Sequence, residues 1–125
     1  MRAVLLAAAG LVVLAVTVPA SADRFLPDPE NCQYTTHHVF HHGGGKTTEI
    51  RVTYTSQRFS SCDTARGVAH SYASTLGCHD TRYCTVAHNY SCKNAFHTGG
   101  NPVAHCRQIS GSGEVFMSWH RIDRG

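Results

Sequence analysis

The chain has 125 residues, with 6 Cys, 10 His, 11 Gly and 4 Pro, and a formal net charge of only +3. That length fits one domain behind an export segment, because two domains need about 200 residues. Charge this thin and scattered argues against a disordered interaction tail and against dedicated nucleic-acid binding, which normally shows a strong basic excess or stripe.

Met1-Arg2 gives a positive start, Ala3 to Val18 carries no charge, and Pro19 precedes the small-x-small triplet Ala20-Ser21-Ala22. This is the pattern of a signal peptide over residues 1–22, cleaved between Ala22 and Asp23. The apolar run is marginal for a spanning helix and no second one follows, so no membrane span is expected in the mature chain. The mature protein is therefore expected to be secreted and extracellular. Residues 23–31, with Pro27 and Pro29, read as an extended N-terminal arm, and residues 32–125 as a single α+β domain.

Cys32, Cys62, Cys78, Cys84, Cys92 and Cys106 all lie in the mature part. An even number in a short exported chain reads as three disulfide bonds, since the oxidising side of the membrane lets them persist. Zinc would want close C-x-x-C pairs, and there are none. Spacing favours one bridge, Cys78–Cys84, closed across His79-Asp80-Thr81-Arg82, and leaves the remaining pairings open.

Residues 32–42 and 47–55 predict a β-hairpin, joined by Gly43-Gly44-Gly45-Lys46. In the first strand Tyr34, Thr36, His38 and Phe40 share a face; in the second Ile50, Val52 and Tyr54 do. Ser61 is placed to cap a helix whose first turn holds Asp63. Ala65, Val68, Ala69, Tyr72 and Leu76 form its apolar stripe, and Gly77 stops it. Gly67 inside the stripe weakens the helix or marks close packing. Strand-like runs over 83–90, 103–109 and 114–122 then predict a three-stranded meander. The expected order is β-β-α-β-β-β, an antiparallel sheet with one helix packed across it and three disulfide staples.

Ser61-Cys62-x-x-Ala65-Arg66 at the helix start, Tyr90-Ser91-Cys92, Cys106 and Val115-Phe116-x-x-Trp119 together resemble a group of small exported actinobacterial proteins. Their pattern is a Ser-Cys-x-x-Ala-Arg helix, a strand ending in aromatic-x-Cys and a final Cys-bearing hairpin. The resemblance covers roughly residues 60–120. It implies the fold and the export, and no activity.

The histidines carry most of the remaining chemistry, because imidazole binds metals and titrates near neutral pH. His37, His38, His41 and His42 cluster in the first strand. On a helix they would form i, i+4 ligand pairs, whereas on a strand each pair is about 13 Å apart. A zinc, copper or haem site there would need a ligand from the neighbouring strand, with Glu49 the candidate opposite His41 or His42. His88, His105 and His120 fall on the three C-terminal runs. Two facing imidazoles beside a cation, Lys93 or Arg107, would support phosphodiester cleavage. Cys92-Lys93-Asn94-Ala95-Phe96-His97 is also similar, at different spacing, to the Cys-Lys-x-x-Asn-Thr-Phe stretch of pancreatic-type ribonucleases. No serine-nucleophile elbow, paired carboxylates or phosphate-binding glycine loop is present.

The sequence thus favours a small secreted, non-enzymatic binding module with an extracellular protein or ligand as partner. A histidine-dependent metal or haem protein and a secreted ribonuclease-like phosphodiesterase are the alternatives. Three disulfides predict an intact mass six hydrogens below that of the reduced chain, and unfolding by strong reductant. Six alkylatable thiols in the native protein would refute both.

Overall fold

The computed structural model describes residues 26–95 and 102–125. The predicted signal segment 1–22, the start of the predicted arm and the connector containing His97 lie outside these residues. The described chain contains β1 (Glu30–Asn31), β2 (Thr36–Gly43), β3 (Lys46–Arg58), α1 (Cys62–Ser74), β4 (Tyr83–Val86), β5 (Tyr90–Ala95), β6 (Val103–Gln108) and β7 (Glu114–Arg124). The strands form one open antiparallel sheet in the order β1-β3-β7-β6-β5-β4, with β2 also paired to β3. β1 and β2 follow each other along one edge of β3, while β7 takes the other edge. The fold is α+β, as the hydrophobic periodicities predict, and no helix among the described residues is long and apolar enough to cross a membrane.

The hairpin turns at Gly43, Gly44 and Gly45, whose φ values of 86°, 63° and 78° lie where a side chain is disfavoured. Three details of the strands differ from the sequence reading. Part of the predicted arm, Glu30–Asn31, is ordered as β1 against Gln57 and Ser56. An irregularity between Val52 and Tyr54 shifts the alternation of β3, so Tyr54 is exposed and Thr55 takes the buried place. The run 83–90 is not one strand. Ala87–Asn89 makes a 3-10 turn, with His88 and Asn89 at positive φ, and the chain reverses into β5. The meander therefore has four strands, β4 to β7, rather than three.

Helix α1 begins as its sequence dictates. Ser61 is extended and its hydroxyl accepts the Thr64 amide at 3.1 Å. Ala65, Val68, Ala69 and Tyr72 are fully buried, with Ala73 beside them. Leu76 is not part of this stripe: the helix stops at Ser74, and Leu76 is 74% exposed. Gly67 has the packing role its position suggested, because a Cβ there would collide with the His88 ring.

All six cysteines are paired, as Cys32–Cys62, Cys78–Cys84 and Cys92–Cys106. The first ties the β1–β2 junction to the start of the helix. The second is the local bridge expected from spacing. The third joins directly opposed residues of β5 and β6, and closing its 14-residue separation contributes about 3 kcal/mol by restricting the unfolded chain.

The core lies between α1 and one sheet face, around Trp119, Tyr72, Tyr90, Ile50, Met117 and Val52. His79 is inserted into it, edge-on to Tyr72 with centroids 4.8 Å apart and 5.4 Å from the Trp119 ring. Its Nε2–H donates to the Tyr72 carbonyl at 2.8 Å. Burial pushes the His79 pKa below its ordinary value, so the ring is held neutral. Asn94 is the main polar clamp. Its carbonyl accepts the Tyr72 hydroxyl at 2.6 Å, and its amide donates to the Cys78 and Thr81 carbonyls at 2.7 and 2.8 Å. One side chain thereby fastens helix, disulfide loop and β5. Asn94→Ala would orphan one buried hydroxyl and two carbonyls, so it should cost at least ~3 kcal/mol. A urea midpoint matching wild type would refute the clamp.

Candidate functional site

Alternation on β4 to β7, and on β3 beyond its irregularity at Val52–Tyr54, sends one set of side chains to the helix and the other to the opposite, uncovered face. Register fixes which residues meet there. Tyr83, Lys93, His105, Phe116 and Ser56 form one row across five strands, and Thr85, Ser91, Arg107, Glu114 and Arg58 form the next. Tyr83, Ser91, Lys93, His105 and Arg107 line a hollow of about 380 Å³. Arg107 also borders a second, more open hollow of about 670 Å³, shared with Arg58, Glu114, Phe59 and Leu26.

The two rows are held by a connected set of contacts. Glu114 is largely buried and accepts Arg58 Nε through Oε2 at 2.9 Å, while Oε1 lies 2.9 Å from His105 Nε2. Arg58, then partial burial acting in the opposite sense, then His105 set its acidity, and the net effect holds the carboxyl below the usual carboxylate range. The His105 ring lies flat against Phe116, with centroids 4.5 Å apart and an interplanar angle of 8°. The Arg58 guanidinium sits 5.4 Å from the Phe116 centroid. Across the hollow, Lys93 Nζ and the Arg82 guanidinium lie 6.0 and 5.7 Å from the Tyr83 centroid.

Glu114 faces Arg107 in register, but its oxygens are occupied by Arg58 and His105. Neither Lys93 nor Arg107 has a carboxylate partner among the described residues. Two unpaired cations, two hydroxyls and an oriented imidazole therefore face one hollow. Such a set suits an anion with several acceptor oxygens.

The other predicted histidines fall elsewhere. His37 and His41 point to the open face, whereas His38 and His42 point to the helix face, as strand alternation requires. His42 Nε2 donates to Thr48 Oγ1 at 2.9 Å, and that hydroxyl donates to Asp123 at 2.6 Å. His38 packs edge-on to Phe40. Glu49 stands opposite Val39, not His41 or His42, and is paired with Arg51 and Arg124. Among the described residues no three His, Cys, Asp or Glu side chains are grouped to hold a metal ion.

His88 lies in the 3-10 turn against Gly67 rather than on a strand. His105 and His120 do share the open face, but His105 is opposite Phe116 and His120 is opposite Arg51, four residues farther along β7. The facing pair of imidazoles expected from a simple meander is not formed. Lys93 and Arg107 are brought to His105 as expected. Arg58, Glu114, Tyr83 and Ser91 were not anticipated, although the i, i+2 pairs Ser91/Lys93 and His105/Arg107 already place four of these polar groups on common faces.

Because the folded Glu114 pKa is depressed, its contacts contribute stability above the ordinary carboxylate range, and that contribution is lost as pH falls through the lowered value. Glu114→Gln should destabilise the protein by about 1–3 kcal/mol at pH 7. It should also flatten the fall in thermal midpoint on acidification below about pH 4.5. An acid limb as steep as wild type would refute the assignment.

No family model, curated protein or solved structure matches the chain.

Proposed function

We propose that the protein is an exported, non-enzymatic binding module that captures a phosphate-bearing ligand in the hollow between β4, β5 and β6. The observation carrying this reading is the placement of Lys93 and Arg107, unpaired by carboxylates, around the space lined by Tyr83, Ser91 and His105. Lys93 and Arg107 reach the hollow without a carboxylate partner, so a bound anion supplies the charge-assisted hydrogen bonds that neither makes within the protein. Arginine offers a bidentate fork to phosphate oxygens, lysine a point charge, and the hydroxyls fill the remaining acceptor positions. Three disulfides suit such a module outside the cell, because the hollow sits on strands stapled at Cys78–Cys84 and Cys92–Cys106. A rigid sheet holds the donors at fixed spacing before the ligand arrives, which lowers the ordering cost of binding.

Inorganic pyrophosphate titrated calorimetrically into protein purified without a metal resin should give saturable binding. The double variant Lys93→Gln/Arg107→Gln should bind at least tenfold more weakly, about 1.4 kcal/mol. Both side chains are exposed, so its thermal midpoint should match wild type. No saturation, or equal affinity in the variant, would overturn the reading.

A further inference from the structure

We infer that the open sheet face is a track for single-stranded nucleic acid, laid across the strands with phosphates on Lys93 and Arg107 and bases against Tyr83 and Phe59. This rests on the phosphate reading of the hollow and names the class of ligand that occupies it.

Two observations carry the inference. The first is the alternation of rings and cations along one direction. From β4 to β7 the row runs Tyr83, Lys93, His105, Phe116, with Arg107 in the row beside it. Neighbouring strands are about 4.8 Å apart, so Tyr83 on β4 and Arg58 on β3, the residue before Phe59, are separated by about 19 Å. That distance accommodates a few nucleotides, the short end of the ~4–16 covered by single-strand sites on comparable sheets. Cations that hold the backbone, with exposed rings beside them on which bases stack, are the arrangement single strands require.

The second observation is Phe59. It is 51% exposed and adopts φ 59°, a conformation disfavoured for a bulky residue. Its ring lies beneath the Arg58 guanidinium at 5.9 Å and borders the second hollow, which shares Arg107 with the first. The track thus has an exposed ring at each end, Tyr83 and Phe59, and unpaired cations between them.

A duplex buries its base faces and cannot use these rings, and a polyanion without rings has nothing to place on them. The one carboxylate in the path, Glu114, is neutralised by Arg58 and hydrogen-bonded to His105. The small net charge of the whole chain does not describe this face. There Arg51, Arg58, Lys93, Arg107 and Arg124 face Glu49 and Glu114 alone.

The test is fluorescence anisotropy of a labelled single-stranded eight-nucleotide oligothymidine, with the same strand in duplex and an eight-unit polyphosphate as competitors. The single strand is expected to bind, with a slope of log K against log salt of about −1.4 for two phosphate contacts. Phe59→Ala should weaken the oligonucleotide at least tenfold and leave pyrophosphate affinity unchanged, whereas Tyr83→Ala, which also removes a hydroxyl from the hollow, should weaken both. Lys93→Gln/Arg107→Gln should weaken both. Polyphosphate or duplex competing as well as the single strand would overturn the track, as would indifference to loss of the two rings. If pyrophosphate binds and the oligonucleotide does not, the track fails and the phosphate hollow stands. If neither binds, both readings fail.

Discussion

A 13-residue helix is about 20 Å long and roughly 10 Å across, whereas the sheet beneath it is six strands wide, or roughly 24 Å. One helix of this size can shield one face only. Water must therefore be met on the other face by side chains that tolerate it, and the two-residue period of each strand divides the sequence accordingly. Ile50, Val52, Val115, Met117 and Trp119 go to the helix. Lys93, His105, Arg107, Glu114 and Arg58 go to the open side. The apolar core and the candidate binding face are two results of this one imbalance of layers.

The covered side is thin, and its stability depends on covalent and polar fastening as well as apolar burial. Helix α1 reaches β2, β3, β4 and β7 but has few large apolar residues to offer, three of its buried positions being alanines. Tyr72 extends its reach to Asn94, which in turn gathers the carbonyls of the Cys78–Cys84 loop. Burial raises the Tyr72 pKa, its hydrogen bond to Asn94 opposing only part of that effect, so the phenol stays a neutral donor. The disulfides add covalent ties at the junction before β2, at the β4 edge and between β5 and β6. The same fastening immobilises the strands whose outward residues line the hollow.

On the open face, what matters is local charge and not the total. Carboxylates elsewhere are spent in pairs with Arg51, Arg58, Arg66, Arg121 and Arg124. Lys93 and Arg107, like Lys46 and Arg82, have no carboxylate partner among the described residues, and both face the hollow beside the Tyr83 ring. Composition averages over both faces and so conceals this arrangement.

The fold class, the helix with its Ser61 cap, the Cys78–Cys84 bridge and the alternation of β2 were all legible in the residues. Each depends on interactions within a few positions of the chain, where propensity and period act directly. The elements read less well are those in which a non-local partner overrides the local pattern. β1 is two residues recruited by the edge of β3. The 83–90 run is turned back at His88 and Asn89, where the His88 ring packs against Gly67 of the helix. Tyr54 is displaced by an irregularity that appears only when β3 meets β7. The clustered histidines stood out in the sequence because they are adjacent, yet adjacency on a strand sends neighbours to opposite faces. The candidate site draws Tyr83, Lys93, Arg107, Glu114 and Arg58 from five strands, and only their register brings them together. Sequence by itself determined the elements and the need for an oxidised core. Tertiary structure decided which residues face one another, because strand pairing is set by contacts between segments far apart in the chain.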